Sequence, residues 1–90
     1  MVKDNFEMRK ALFEEILKLE SVDECALFFD DLCTIKELDS MCQRLAAAKM
    51  LLEGKTYNEV IEKTEISSAT LSRVSKCVQY GKGYTSVLKK

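Results

Sequence analysis

A run of short hydroxyl side chains followed by two cations is the part of this sequence best suited to contact another molecule. Its polar members are Ser67, Ser68, Thr70, Ser72, Arg73 and Lys76. Short hydroxyl side chains let a helix come close to base edges in the major groove of DNA, and the cations attract phosphates. Residues 67–76 contain no acid that would repel a duplex. We therefore predict that this segment is a helix that faces DNA.

The elements that would position this helix form a helix-turn-helix pattern. Thr56 and Glu59 make a capping box that starts a helix of about eight residues, and Ser67 caps a longer second helix after a break. Two helices joined by a turn of three or four residues are typical of this motif. The apolar residues that would face inward are Val60, Ile66, Leu71 and Val74. Glu65 replaces the glycine that is common in the turn, so a helical hairpin inside a core stays an alternative.

The rest of the chain also reads as helix, because there is no proline and the apolar residues recur with a period near 3.6. We predict an all-α fold of six helices. The first spans about residues 4–19 with Asp4 as N-cap, the second follows Ser21, and the third spans about residues 35–53 after Thr34 and stops at Gly54. The predicted organisation is a single domain of residues 1–90, with dimerisation helices in 1–53, the helix-turn-helix in 56–79 and a C-terminal basic helix in 80–90.

The first three helices carry apolar arcs that are too wide for packing on one side only. The third helix has a predicted core stripe of Ile35, Leu38, Met41, Cys42, Leu45, Ala48 and Leu52, and a second apolar edge of Ala46, Ala47, Met50 and Leu51. A second copy of the chain would cover the excess surface, so we predict a homodimer with an extensive helical interface. A monomer whose helices bury one another is the alternative.

The charge distribution along the chain is uneven, although the formal net charge of the 90 residues is only −1. Residues 1–65 carry nine bases and fifteen acids, whereas residues 66–90 carry five bases and no acid. A basic terminal quarter can face a polyanion while the acidic body keeps the chain soluble. A basic tail that is only solvated is the alternative. With 47% apolar residues, the composition is that of one globular domain rather than a disordered chain.

Several function classes are excluded or disfavoured by missing residue types. There is no histidine, so neither a Ser-His nor a Cys-His nucleophile pair is available, and we predict that the chain is not an enzyme. The four cysteines form no C-x-x-C pair, so no metal site is expected, and they are interpreted as reduced and mostly buried. The longest apolar run is five residues, which predicts no membrane span and a cytoplasmic location.

Several segments resemble the Trp repressor family, and in particular its YerC/YecD-type branch. The resemblance covers about residues 13–84, and its most specific segments are residues 28–34, 43–51, 69–74 and 80–84. It implies an intertwined homodimer in which the first, second, third and last helices form a shared core, while the fourth and fifth helices read DNA. By this resemblance the base-contacting residues are Ser68, Ala69, Thr70 and Ser72, and the candidates for backbone contacts are Asn58 and Lys76. A two-fold dimer would require a near-palindromic site with half-sites about 34 Å apart.

The resemblance also implies a site for a small-molecule co-regulator, which is tryptophan in the repressor. Thr34, Arg44 and Arg73 match three positions that hold the ligand there. The next position, a glycine where the indole ring passes, is Val74, and a nearby serine position is Cys77. A branched side chain would take ring space, which argues against tryptophan and leaves the effector open. Alternatively, Arg44 pairs with an acid of its own helix or a phosphate, and Arg73 only faces DNA.

These observations favour a sequence-specific DNA-binding transcriptional regulator that acts as a dimer on a palindromic operator, with repression as the expected mode. Its expected partners are double-stranded DNA and a second copy of the chain, with no membrane and no metal. A helical protein-interaction module without DNA-binding function is the alternative, because the body of the chain is acidic and Glu65 departs from the usual turn.

Overall fold

Six α-helices make up residues 5–90, which are the residues that the computed structural model describes. They are α1 (Phe6–Ile16), α2 (Val22–Leu32), α3 (Ile35–Leu52), α4 (Tyr57–Thr64), α5 (Ser68–Tyr80) and α6 (Gly83–Leu88). The all-α prediction with six helices is therefore confirmed. The first helix ends at Ile16, three residues earlier than predicted, and its predicted cap Asp4 lies outside the described residues. The N-cap is Asn5, whose side chain makes no capping hydrogen bond.

Reciprocal hydrogen bonds start α4 where the sequence predicts. The Thr56 hydroxyl accepts a hydrogen bond from the Glu59 backbone N–H at 3.2 Å, and the Glu59 carboxylate accepts one from the Thr56 backbone N–H at 2.8 Å. The backbone hydrogen bond holds the pKa of Glu59 below its ordinary value, with smaller contributions from the Thr56 hydroxyl and from the charge of Lys55. These bonds satisfy donors that would otherwise have no partner in the first turn of α4.

Residues 5–34, the described part of the first unit, contain α1 and α2 and pack as one compact unit. None of its described residues is buried, and the large apolar side chains of Leu17, Val22 and Leu27 are 83%, 84% and 70% exposed. The rings of Phe28 and Phe29 meet edge to face, with their centroids 5.7 Å apart. An apolar surface of this kind, without a core beneath it, is typical of a segment that becomes buried against another surface.

Residues 35–90 form the second unit, in which α3, α4, α5 and α6 surround a small core. Its buried apolar residues are Ala47, Ala48, Val60, Ile66, Leu71 and Val74. The buried position Ala47 comes from the second apolar edge of α3, and Met50 and Leu51 of that edge pack against the core. Three residues of the predicted core stripe are exposed instead, namely Ile35 at 77%, Leu45 at 44% and Cys42. The two buried residues of α3 are adjacent alanines, Ala47 from the second edge and Ala48 from the predicted stripe, and their small side chains let α3 approach the following helices closely.

The cysteines are all free thiols, but the prediction that they are mostly buried is wrong. Cys42 and Cys77 are exposed, and Cys25 and Cys33 are half-buried. The prediction failed because it used the general preference of cysteine for protein interiors. The faces of α3 and α5 that carry Cys42 and Cys77 are not covered within this chain.

The turn between α4 and α5 contains a residue in an unfavourable conformation. Glu65 caps the end of α4 with φ 60° and ψ 20°, and no other non-glycine residue among residues 5–90 has a positive φ. Its backbone N–H donates to the Ile61 carbonyl at 2.8 Å, which closes the last turn of the helix. An L-residue in the left-handed region is disfavoured by contact between its Cβ and the following carbonyl, and glycine avoids that contact.

Replacing Glu65 by glycine should therefore stabilise the protein. We expect Glu65→Gly to raise the free energy of unfolding by about 1 kcal/mol, measured by urea denaturation. Glu62→Gly is the matched control, because Glu62 lies inside α4, where glycine should lower the free energy of unfolding by about 1 kcal/mol. An unchanged or lower stability of Glu65→Gly would contradict this account of the turn.

Candidate nucleic-acid interface

The helix pair α4 and α5 is joined by the three residues Glu65, Ile66 and Ser67. Ile66 is 2% exposed, Leu71 is fully buried, and Val74 is 2% exposed, so one side of the turn and of α5 is held in the core. The predicted inward set, which includes Val60, is thus buried as the motif requires. Two helices in this arrangement form a helix-turn-helix in which α5 occupies the position of the recognition helix.

The opposite side of α5 is open to solvent. Its exposed residues from the predicted DNA-facing set are Ser67, Ser68, Ala69, Ser72, Arg73 and Lys76, and Thr70 is half-buried. Asn58 is exposed in the first turn of α4. The structure therefore places these seven residues on α5 and its N-cap, while Asn58 lies on the neighbouring helix α4. No acid lies on α5, so nothing on this helix opposes an approaching phosphate backbone.

Two side chains hold the end of α4 against the rest of the unit. The Thr64 hydroxyl donates to the Val60 carbonyl at 2.7 Å and accepts from the Ile66 backbone N–H at 3.3 Å. The Gln43 amide of α3 donates to the Thr64 carbonyl at 2.9 Å. Sequence reasoning missed Gln43 as a positioning residue, and its only signal was a polar residue on a helix with wide apolar arcs. These bonds satisfy carbonyls at the helix end and fix the start of the turn.

Two hydrogen bonds join the first residues of the α5 segment. The Ser67 hydroxyl oxygen accepts from the Thr70 backbone N–H at 3.2 Å, as an N-cap does. The hydroxyl oxygens of Ser67 and Thr70 also lie 2.9 Å apart, within hydrogen-bond distance of each other. The predicted cap is therefore present, and it also orients the side chain of a predicted base-contacting residue.

The candidate effector residues do not all lie in one unit. Thr34 is an exposed residue of the first unit, whereas the other four belong to the second. Arg44 is half-buried, and its guanidinium donates to the Ser40 hydroxyl at 2.8 Å rather than to an acid of its own helix. Arg73 and Cys77 are exposed. Cys77 lines an apolar pocket of about 320 Å³ at the junction of α5 and α6, together with Gly81, Gly83 and Tyr84.

The position of Val74 shows whether an indole ring fits beside α5. Val74 is 2% exposed and belongs to the same buried cluster as Ala47 and Ala48 of α3, both fully buried. Its side chain thus fills the contact between α3 and α5, and a ring at this point would have to displace it. The residues present do not fit tryptophan there, because a well-packed interior does not admit a large additional group without strain.

Comparison with known proteins identifies the family of this chain. The family model described as Trp repressor protein matches residues 7–90. This chain belongs to the Trp repressor family. The uncharacterised protein YerC of Bacillus subtilis (strain 168) is 53% identical over 70 residues, which cover 78% of this chain and 67% of YerC. Trp repressors are DNA-binding regulators rather than enzymes.

Two solved structures have the same fold. One is a crystal structure of a Trp repressor candidate from Staphylococcus aureus, with a TM-score of 0.88 and 44% identity, covering 92% of this chain and 84% of that one. The other is a TrpR-like protein from Eubacterium eligens ATCC 27750, with a TM-score of 0.88 and 45% identity, covering 92% of this chain and 87% of that one. The fold of this Trp repressor family member is therefore that of its solved relatives.

Within residues 5–90, no helix is both long enough and apolar enough to cross a membrane. In the same part of the chain, no three acidic, cysteine or histidine side chains are grouped so that they could hold a metal ion.

The burial of Val74 leads to a prediction about tryptophan. We expect millimolar L-tryptophan to leave the Tm of the wild-type protein unchanged. Separately, we expect Val74→Ala to lower the free energy of unfolding by about 2 kcal/mol, because the truncation leaves an unfilled cavity. Val87→Ala is the control, because Val87 is 64% exposed and its truncation should change stability little. A rise in the wild-type Tm with L-tryptophan would show that the protein accommodates the ring.

Proposed function

We propose that this protein is a sequence-specific DNA-binding transcriptional regulator that acts as a repressor. The observation that carries the proposal is the acid-free helix α5, whose inner side is held by the core and whose outer side presents hydroxyl groups and cations. A helix of this kind in a member of the Trp repressor family is suited to enter the major groove.

In this proposal the residues of the helix pair divide into two roles. Base edges are approached by the small residues near the start of α5, which are Ser68, Ala69, Thr70 and Ser72. Phosphates are contacted by Asn58, Arg73 and Lys76, whose side chains are exposed. Contacts of the first kind give sequence preference, whereas contacts of the second kind give affinity for any duplex.

We also propose that two copies of the chain act together on a near-palindromic operator. Support comes from the first unit, in which no described residue is buried and Val22 and Leu27 expose most of their apolar surface. A second copy that covers this surface would place two α5 helices on one duplex, with half-sites about 34 Å apart.

The dimer can be tested by analytical ultracentrifugation. We expect wild-type protein to sediment with a mass near twice the 10.3 kDa of one chain. Leu27→Lys should lower the dimer fraction at equal concentration, because it places a charge on the exposed apolar surface. Asp31→Lys, which puts the same cation at an already polar exposed position, is the matched control. A single-chain mass at every concentration would contradict the proposed dimer.

The function itself is tested by selecting bound DNA from a random duplex pool, with and without a mixture of amino acids. We expect a palindromic consensus, and an affinity that falls steeply with salt because phosphate contacts release counterions. Lys76→Ala should weaken binding to all duplexes about equally and reduce the salt slope by about one, whereas Lys36→Ala should retain the wild-type slope.

Two results of the selection would contradict the proposal. One is an affinity that stays flat as salt rises, and the other is the absence of any enriched duplex. The second result, together with a protein that co-purifies in a fixed ratio, would favour a protein-interaction module, to which the acidic residues Glu59, Glu62 and Glu65 at α4 are suited.

A further inference from the structure

The hydrogen bond between Gln43 and Thr64 connects α3 to the last residue of α4. The Gln43 amide donates to the Thr64 carbonyl at 2.9 Å, across 21 positions of the chain. The direction of this bond is certain, because a backbone carbonyl can only accept. Two other bonds of the turn, from the Thr64 hydroxyl to the Val60 carbonyl and from the Glu65 N–H to the Ile61 carbonyl, stay within the end of α4. The Gln43 bond therefore attaches this helix end to a distant segment.

A helix as short as α4 needs two points of attachment to have a fixed direction. It has eight residues, and its buried residue Val60 lies near its middle, with Ile61 packed against the same core. Apolar contacts at this level are not directional, so by themselves they would let the helix pivot. The Gln43 bond acts one turn later, at Thr64, where the carbonyls have no partner in the helix itself. The two attachments together fix the direction in which the chain enters the turn.

The start of α5 follows the second attachment directly. The Thr64 hydroxyl accepts a hydrogen bond from the Ile66 backbone N–H at 3.3 Å. Ser67, the next residue, is the N-cap of α5. A displacement of Thr64 would therefore displace the first turn of α5, which carries the residues proposed to approach base edges.

The two proposed kinds of DNA contact differ in how much displacement they tolerate. Ser68 and Ser72 are exposed and carry their hydroxyl groups one carbon from the backbone, so they cannot extend toward a base that has moved away. Their hydrogen bonds would weaken once donor and acceptor leave a range of about 2.5–3.2 Å. The exposed Lys76 carries its charge on a flexible four-carbon chain, which can follow a phosphate. Base contacts therefore depend on the placement of the backbone more strongly than phosphate contacts do.

We propose that Gln43 is a positioning residue for sequence preference: its bond to Thr64 sets the placement of α5 that base reading requires, while phosphate binding proceeds without it. The inference rests on the proposed function and adds a residue of α3, outside the helix pair, to the determinants of specificity. Gln43 is half-buried, acts through Thr64 and needs no contact with DNA.

The first test removes the donor and keeps the length of the side chain. The affinities of the wild type and of Gln43→Met are measured at one salt concentration for the duplex selected by the wild type and for a random duplex of equal length. We expect the affinity of the variant for the selected duplex to fall about fivefold for each bound copy of the chain, as the loss of one neutral hydrogen bond allows. Its affinity for the random duplex should be nearly unchanged.

The matched control is Gln79→Met. It makes the same chemical change at a glutamine whose amide lies 3.3 Å from the Ser75 hydroxyl, within the single helix α5. We expect this variant to retain the wild-type ratio between the two affinities. Circular dichroism and Tm measurements should show that both variants are folded at the temperature of the binding experiments.

The second test makes the donor titratable. Gln43→Glu keeps the shape of the side chain, but a carboxylate cannot donate to the Thr64 carbonyl, whereas a neutral carboxyl group can. A facing acceptor favours the neutral form. We therefore expect the ratio of the two affinities to be low at about pH 7.5 and to rise toward the wild-type value as the pH falls to about 4.5.

Other charged groups close to this bond also respond to pH, so the wild type is measured at each pH for comparison. Those that line the same surface depression as Gln43 and Thr64 are Asp39, Lys49, Glu53 and Lys63. Both proteins contain these groups, so a change in the variant relative to the wild type reports on the substituted carboxyl group.

The outcomes distinguish this inference from the proposed function. If the wild type enriches no duplex, the proposed function fails and this inference fails with it. If the wild type enriches a site and Gln43→Met keeps the wild-type ratio of affinities, the inference alone is wrong. It is also wrong if Gln43→Met weakens binding to both duplexes equally, or if Gln43→Glu regains no preference at low pH.

Discussion

The contact between α3 and α5 through two alanines is the constraint on which the rest of the second unit depends. Ala47 and Ala48 are fully buried, and Val74 of α5 lies in the same cluster. Small side chains on α3 let the two helices approach closely, and this approach turns the opposite side of α5 toward solvent. The same contact closes the space beside Val74, so the placement of α5 and the poor fit of an indole ring have one cause.

Orientation of the helix pair also depends on polar contacts around a short turn. The Gln43 amide bonds to the Thr64 carbonyl at 2.9 Å, and Glu65 adopts a left-handed conformation with φ 60° directly after it. The left-handed residue lets the chain leave α4 at Thr64 and return Ile66 to the core two residues later. An unfavourable local conformation is thus maintained by burial on one side of the turn and by hydrogen bonds on the other.

The two units are stabilised differently. The second has a buried core from α3, α4, α5 and the turn, with α6 packed against it, whereas the first exposes apolar side chains such as Leu17, Val22 and Leu27. In small chains, apolar surface that cannot be buried internally is commonly covered by association. The proposed dimer would therefore serve folding as well as the proposed binding to a two-part DNA site.

Much of the local structure could be predicted because it depends on near neighbours in the chain. The capping box of Thr56 and Glu59, the cap of Ser67 and the six helical segments follow from periodicity and from residues three or four positions apart. The resemblance to the Trp repressor family could also be seen in the sequence, because it rests on short local segments. The exposure of the predicted DNA-facing residues on α5 also follows from one helical period, since their inward neighbours are strongly apolar.

By itself, the sequence determined the helices, their caps, the family and the acid-free character of the segment that became α5. Only the tertiary structure decided which residues of α3 are buried, that Cys42 and Cys77 are exposed, and that Gln43 supports the turn. The physical reason is that periodicity marks every apolar face of a helix without saying which face meets a neighbour. That choice depends on how closely distant segments can approach, and on hydrogen bonds that form only after they have done so.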